Sequence, residues 1–121
     1  MKKRILVVDD CPLILSMLFD MLDLFGFQTT GASNGHQGCQ LVKEGCYDLI
    51  MTDLNMPGMD GVEFVKRVRQ LPNGEQVPII MLTGEDEQSR LEQAQNYGVS
   101  TFLGKPFQRG ELKTALESVF S

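Results

Sequence analysis

The stretch Ile5-Leu6-Val7-Val8-Asp9-Asp10 decides how the rest of the sequence is interpreted. A short run of consecutive apolar residues is typical of a strand that is buried on both faces. The two carboxylates follow at the point where such a strand ends. In parallel sheets, ligands bind beyond the carboxyl ends of the strands. The stretch therefore predicts a buried parallel strand that carries acidic side chains to a functional edge.

Short apolar runs alternate with longer helical segments along the rest of the chain. Further strands are predicted at 27–30, 47–52, 77–82 and 101–103. Helices are predicted at 12–25, 35–44, 62–71, 87–97 and 108–120, the second of them with Asn34 as its N-cap and Gly45 as its stop. Strands that alternate with helices indicate an α/β fold, in which right-handed crossovers place helices on both faces of a parallel sheet. We expect a doubly wound, five-stranded parallel sheet in one domain that spans residues 1–121.

The composition excludes several classes of protein. Hydrophobic residues make up 42% of the 121 residues and charged residues 22%, as in ordinary globular domains. The formal net charge of −5 argues against nucleic-acid or anionic-membrane binding, which both need a basic surface. No apolar stretch approaches the ~20 residues of a membrane span, and the start lacks a signal-peptide layout. We therefore expect a cytoplasmic protein with no direct nucleic-acid partner and no membrane insertion.

Reactive side chains stand at the ends of four predicted strands. Asp9 and Asp10 follow the first strand, Asp53 the third, Thr83 the fourth and Lys105 the fifth. In a parallel sheet these side chains gather at one edge, where carboxylates repel one another by about 4 kcal/mol per pair at ~4 Å in a surface-like dielectric. A hard divalent cation such as Mg²⁺, which takes oxygen ligands, compensates this repulsion together with the ammonium of Lys105.

Such an edge is suited to accept a phosphoryl group. Asp53 is the candidate nucleophile, while the cation and Lys105 neutralise charge on the transferred group and Thr83 donates a hydrogen bond to it. Acidic residues at strand ends also serve as ordinary helix caps, so this alternative stays open for any single Asp. The coincidence of all these residues at strand ends favours the phosphoryl site.

At these positions the sequence closely resembles the receiver domain family of two-component response regulators, and single-domain chemotaxis-type regulators in particular. Four pieces carry the resemblance, in the order and spacing of the family: ILVVDD at 5–10, DLNMPGMDG at 53–61, MLTG at 81–84 and FLGKPF at 102–107. The resemblance covers essentially the whole chain. It implies a flavodoxin-like (βα)5 fold and a signalling switch that is controlled by phosphorylation.

The resemblance also implies a role for each site residue. Phosphoryl transfer would involve three side chains, namely Asp53 as the phosphoacceptor with Thr83 and Lys105 in contact with the phosphoryl group. Mg²⁺ would be held by Asp9, Asp10, Asp53 and the backbone carbonyl of Asn55, with Asp10 as a more direct ligand than Asp9. The Lys105–Pro106 peptide bond would be cis. Asn55 and Glu85 occupy positions that tune the lifetime of the phosphoryl group in similar receivers.

Phe102 stands where the family carries its aromatic switch residue. In similar receivers, phosphorylation draws the residue at the position of Thr83 inward, and the aromatic ring rotates into the vacated space. The surface around the fourth helix and fifth strand would then change shape for an output protein. The alternative is that Phe102 is an ordinary core residue of a short strand.

The first predicted helix carries apolar residues on nearly every face, which is more than a helix that covers a sheet needs. In similar receivers this helix docks on the phosphodonor, a sensor histidine kinase or a histidine phosphotransfer protein. We expect Leu13, Ile14 and Met17 to form part of that contact, with burial under the last helix as the alternative. A separate output protein would then carry the response, unless the chain is a piece excised from a longer regulator or hybrid kinase.

Two other functions would use the same residues. Phosphatases of the haloacid dehalogenase type typically carry a second Asp two residues after the nucleophile, whereas this chain has Asn55, which cannot shuttle a proton. A receiver that has lost its activity would be a protein-interaction module, but the complete set of acids argues against it. The sequence therefore favours a switch that phosphorylates and slowly dephosphorylates itself, without turnover of a substrate.

Overall fold

The structure is a computed structural model that describes residues 2–84 and 88–120. Its strands are β1 (Arg4–Val8), β2 (Gln28–Ala32), β3 (Leu49–Asp53), β4 (Ile79–Thr83) and β5 (Thr101–Gly104). Its helices are α1 (Pro12–Leu24), α2 (Gly35–Glu44), α3 (Gly61–Arg69), α4 (Gln88–Gln95) and α5 (Arg109–Phe120), with a 3₁₀ turn at Pro72–Gly74 before β4. The strands form one parallel sheet in the order β2-β1-β3-β4-β5, which confirms the predicted fold class.

The sheet changes its direction of growth at β1. The chain runs from β1 outward to β2 and then returns to β3 on the other side of β1. At the carboxyl end of β1, Val8 pairs with Ala32 on one side and with Thr52 on the other. The crevice beyond the ends of β1 and β3 is the point where ligands bind in sheets of this topology.

Two hydrophobic layers cover the sheet, one on each face, because successive side chains of a strand point to opposite faces. The layer beneath α2, α3 and α4 includes Leu6, Val8, Ile50, Phe64, Val65, Val68, Met81 and Ala94. The layer beneath α1 and α5 includes Ile5, Val7, Leu18, Leu22, Leu49, Met51, Leu112 and Leu116. Burial of both faces explains why β1, β3 and β4 appear in the sequence as continuous apolar runs.

The second helix agrees with the prediction residue by residue. It spans Gly35–Glu44, and the side chain of Asn34 accepts a hydrogen bond from the Gln37 N–H at 2.8 Å. Gly45 forms the C-cap. An N-cap and a glycine stop are local signals, so these boundaries can be predicted without the tertiary structure.

Other boundaries differ from the predictions by one or two residues. The second strand runs on to Ala32 and not only to Thr30, because Gly31 and Ala32 pair with β1. The third helix begins at Gly61, since the carboxylate of Asp60 accepts a hydrogen bond from the Glu63 N–H at 2.9 Å and caps it. The third and fourth strands begin two residues later than predicted. Glu87, the predicted start of the fourth helix, lies outside the described residues.

None of the helices within residues 2–84 and 88–120 combines the length and the hydropathy that crossing a bilayer requires.

Candidate functional site

Three carboxylates converge beyond the carboxyl ends of β1 and β3. Asp9 and Asp10 follow β1, and Asp53 is the last residue of β3. Each residue offers an oxygen atom, and these atoms all lie within 4.8 Å of one another. Asp9 is fully buried and Asp53 is 7% exposed, whereas Asp10 is exposed. The crevice at the switch point of the sheet is therefore acidic and open to solvent on one side.

The N-cap position of α1 is Cys11, which has no side-chain cap hydrogen bond, so the helix-cap alternative does not describe Asp9. Its Oδ1 accepts a hydrogen bond from the N–H of Cys11 at 2.9 Å, which orders the turn that leads into α1. Its Oδ2 faces the site and lies 3.2 Å from Nζ of Lys105. One carboxylate thus has both a structural contact and a contact within the acidic cluster.

Lys105 reaches the cluster from the loop that follows β5. Its Nζ lies 3.0 Å from Oδ1 of Asp53, in addition to its contact with Asp9. Its backbone N–H donates to the carbonyl oxygen of Thr83 at 2.7 Å. The Lys105–Pro106 peptide bond is cis, as the resemblance implied. The ammonium therefore lies between two of the three carboxylates.

Burial and ion pairing act in opposite directions on the pKa values of these groups. Burial raises the pKa of Asp53, and the negative charge of Asp9 adds to the rise, while the hydrogen bond from Lys105 and the backbone N–H of Asn55 counter it. Burial alone would lower the pKa of Lys105, but its ion pairs with Asp53 and Asp9 outweigh burial and raise it. Lys105 is thus cationic at neutral pH, whereas the charged form of Asp53 is disfavoured by its surroundings.

The donor set fits a hard divalent cation. Three carboxylates against a single ammonium leave two negative charges in the cluster uncompensated. Carboxylate and carbonyl oxygens are the ligands that Mg²⁺ prefers, and the ion usually keeps several of its waters. The exposed side of the cluster, at Asp10, leaves room for those waters.

Thr83 and Phe102 lie on neighbouring strands beside the cluster. Thr83 ends β4, is 7% exposed and pairs with Gly104 of β5. Phe102 pairs with Met81 in the same ladder, and its ring packs, half-buried, against the layer beneath α2, α3 and α4. The ring therefore lies at the margin of the core.

The three residues of α1 that were expected to dock a partner differ in their exposure to solvent. Leu13 is 77% exposed. Ile14 and Met17 are half-buried and pack against the layer beneath α1 and α5. Burial on two sides of α1 thus accounts in part for Ile14 and Met17, but it does not account for Leu13.

The loop between β3 and α3 (residues 54–60) folds back closely onto β3. The N–H of Gly61 donates to the carbonyl oxygen of Leu54 at 2.8 Å. A Cβ atom at Gly61 would lie 2.4 Å from the carbonyl oxygen of Asp53, so only glycine permits this approach. The return of the loop holds Asn55 close to the acidic cluster.

Arg90 lies at the rim of the site and was not predicted from the sequence as a site residue. Its guanidinium donates to the carbonyl oxygen of Leu54 at 3.0 Å and to the side-chain oxygen of Asn55, and it lies 3.1 Å from Oδ2 of Asp60. Arg90 belongs to α4 and is 35 residues away from Asn55 in the sequence. No local motif predicts a contact between such distant positions. Glu85, which the resemblance linked to phosphoryl lifetime, lies outside the described residues.

Comparisons with known sequences agree with this geometry. The family model described as "Response regulator receiver domain" matches residues 5–117. A protein of Rhizobium etli with the name "Probable chemotaxis protein CheY" is 37% identical over 120 residues, which cover 98% of this chain and 93% of that protein.

Solved structures show the same fold. The chemotaxis protein CheY4 of Vibrio cholerae superposes with a TM-score of 0.93 at 32% identity, over 98% of this chain and 99% of that one. A second match is the receiver domain of a sensor histidine kinase from Pseudomonas aeruginosa PAO1, which is described with a magnesium ion in its active-site cleft. It superposes with a TM-score of 0.89 at 32% identity, and the match covers 100% of this chain and 100% of that one. The sheet order, the acidic crevice and a family match over most of the sequence lead to one conclusion: the chain belongs to the response regulator receiver domain family of two-component signalling.

Proposed function

We propose that this chain is a single receiver domain that accepts a phosphoryl group on Asp53 from a histidine kinase or histidine phosphotransfer protein. The convergence of the three carboxylates within 4.8 Å, with Nζ of Lys105 3.0 Å from Asp53, carries this proposal. This arrangement brings a candidate nucleophile, oxygen ligands for a cation and an ammonium group into one crevice. These are the parts that phosphoryl transfer to a carboxylate requires.

In the transfer step, an oxygen of Asp53 attacks phosphorus, the bond from phosphorus to the donor nitrogen breaks, and an acyl phosphate forms. Lys105 stabilises the charge on the transferred group, since its ammonium already lies against Oδ1 of Asp53. The hydroxyl of Thr83 donates to a phosphoryl oxygen. Asp9, Asp10, Asp53 and the carbonyl of Asn55 would hold Mg²⁺, which when bound neutralises charge on the phosphoryl oxygens.

The response to phosphorylation would arise at β4 and β5. When Thr83 turns toward a phosphoryl group on Asp53, it leaves space beside the neighbouring strand. The half-buried ring of Phe102 can enter that space because it lies at the core margin. The surface around α4 and β5 would then differ between the two states, and an output protein would distinguish them.

Phosphorylation by a small donor tests this proposal. After incubation with acetyl phosphate and Mg²⁺, intact-mass spectrometry should show one phosphoryl group per chain. Asp53→Asn should abolish the adduct, whereas Asp20→Asn, which changes an exposed carboxyl of α1, should retain it. Absence of any adduct on the unmodified chain would favour an inert interaction module. Release of phosphate over many cycles would favour a phosphatase.

We further propose that the start of α1 docks the phosphodonor through Leu13, Ile14 and Met17. Leu13 is the second residue of α1, close to the acidic crevice, and its exposure supports this proposal. Leu13→Glu should slow transfer from the cognate kinase about tenfold, as expected when an apolar contact at an interface centre is lost.

Leu24 provides the matched control, because it is 68% exposed at the far end of the same helix. Leu24→Glu should leave kinase transfer unchanged, and both variants should react normally with acetyl phosphate. Transfer from the kinase to the Leu13→Glu variant at the normal rate would rule out docking at this surface.

A further inference from the structure

Arg90 joins α4 to both ends of the loop that follows Asp53. Its Nη2 lies 3.0 Å from the carbonyl oxygen of Leu54 at the start of the loop and 3.1 Å from Oδ2 of Asp60 at its end. Its Nη1 donates to the side-chain oxygen of Asn55. The planar fork of a guanidinium can meet several acceptors in fixed directions, which the compact ammonium of a lysine cannot do.

The partners of Arg90 are the groups that close this loop. The carbonyl oxygen of Leu54 also accepts the hydrogen bond from Gly61 at 2.8 Å. The carboxylate of Asp60 also caps α3 through its other oxygen, which accepts from Glu63 at 2.9 Å. Arg90 therefore reinforces both closing contacts of the loop and adds a direct contact with Asn55 between them.

We propose that Arg90 is a positioning residue, which holds residues 54–60 in the conformation that cation binding at the acidic cluster requires. The inference rests on the proposed function, because it acts on the loop that would supply the Asn55 carbonyl. A loop that is already ordered loses less conformational entropy when one of its carbonyl groups becomes a ligand. Since Arg90 belongs to α4, the same contacts also tie the position of α4 to the site.

The positive charge of Arg90 disfavours cation binding, whereas its ordering of the loop favours it. The two contributions can therefore be separated by experiment. A guanidinium near the acidic cluster repels a divalent cation, so loss of the charge alone would strengthen Mg²⁺ binding. Arg90→Lys keeps the positive charge but removes the fork that meets Leu54, Asn55 and Asp60 together. Positioning therefore predicts weaker binding in this variant, whereas a purely electrostatic role predicts unchanged binding.

Calorimetric titration of the metal-free protein with MgCl₂ provides the test. In Arg90→Lys we expect the dissociation constant for Mg²⁺ to rise about tenfold, at the lower end of the effect of groups that orient metal ligands. Arg67→Lys is the matched control, because the guanidinium of Arg67 lies 3.9 Å from Glu63 on an exposed face of α3. The control should bind Mg²⁺ as the unmodified chain does.

Amide hydrogen exchange of the metal-free protein gives a second readout that needs no ligand. The N–H of Gly61 should exchange faster in Arg90→Lys, while that of Leu6 in the core of β1 should keep its rate. Unchanged affinity and unchanged exchange at Gly61 would refute the role of Arg90 and leave the proposed function intact. Equally faster exchange at Leu6 would mean general destabilisation and would also refute it. If the unmodified chain failed to bind Mg²⁺, both proposals would fall.

Discussion

At the scale of single residues, the proposed function sets two opposing requirements on Asp53. A nucleophilic carboxylate must be ionised, yet burial raises the pKa of this one. The contact with Lys105 at 3.0 Å compensates only part of the effect, since Lys105 is shared with Asp9. The ionised form of Asp53 is therefore unfavourable in the metal-free protein, at the position of the proposed phosphoacceptor.

Asp53→Asn should accordingly stabilise the metal-free protein at neutral pH, because it removes a carboxyl whose charged form burial disfavours. A carboxyl whose pKa is higher in the folded chain favours folding when protonated. This contribution is complete below the unfolded pKa and is lost as the pH rises through the folded pKa. Asn has no such loss, so its advantage should be largest at neutral pH and shrink as the pH falls through the raised pKa of Asp53. Urea denaturation in EDTA at several pH values measures this, and a pH-independent difference would contradict it.

Gly61→Ala provides a second prediction at this scale. The added Cβ would lie 2.4 Å from the carbonyl oxygen of Asp53 and 2.7 Å from Cα of Leu54, and backbone atoms cannot rotate aside. We expect a loss of about 2 kcal/mol in the free energy of unfolding, within the range for overpacked sites, together with weaker Mg²⁺ binding. Gly110→Ala is the control, because nothing lies within 4 Å of its added Cβ. Equal effects of the two substitutions in urea denaturation would show that steric contact is not the cause.

At the scale of elements, Arg69 connects the end of α3 to the segments that precede β4 and follow α4. Its guanidinium donates to the carbonyl oxygens of Tyr97 and Val77, both at 2.7 Å, and of Gly74 at 2.9 Å. These acceptors lie in the 3₁₀ turn and the residues that precede β4, and in the turn that follows α4. One side chain at the end of α3 thus orders the approaches to two other elements.

Arg69→Ala should lower the free energy of unfolding by about 3 kcal/mol, because it leaves several partly buried carbonyl groups without their donor. Arg67→Ala should change it by less than about 0.5 kcal/mol, since its ion pair with Glu63 is solvated and long, at 3.9 Å. Urea denaturation of both variants measures these two losses in the free energy of unfolding. Similar losses would mean that general helix propensity, and not the carbonyl contacts, explains the effect of Arg69.

At the scale of the whole molecule, the proposed function links folding to cation binding. The acidic cluster joins residues after β1 and at the end of β3 to Lys105 after β5, so it exists only when the sheet is assembled. A ligand that binds only the folded state stabilises it by mass action. Under the proposed function, Mg²⁺ is such a ligand.

Mg²⁺ at a hundred times its dissociation constant should therefore add about 2.7 kcal/mol to the stability of the folded chain. EDTA should reverse the gain, which thermal denaturation would record. The gain should fade as the pH falls, because ligands bind cations when deprotonated and the pKa of Asp53 is raised. Asp10→Asn should reduce the gain, whereas Asp20→Asn should not. An equal gain in stability for the unmodified chain and both variants would mean that Mg²⁺ binds at another site.

The sequence by itself determined the fold class, the approximate positions of the strands and the candidate acids. Strands that are buried on both faces are continuous apolar runs, and the residues that follow them reach one edge of a parallel sheet, so both features have a local signature. The N-cap at Asn34 and the stop at Gly45 are local in the same sense.

Only the tertiary structure decided which contacts join distant parts of the chain. The extension of β2 to Ala32 depends on pairing with Val8, and the exposure of Leu13 beside a half-buried Ile14 depends on where α1 lies against the sheet. The contact between Arg90 and Asn55 spans 35 residues and follows from the packing of α4 beside the loop after β3. Periodicity and capping act between near neighbours, whereas these contacts exist only because the folded sheet brings distant segments within hydrogen-bonding distance.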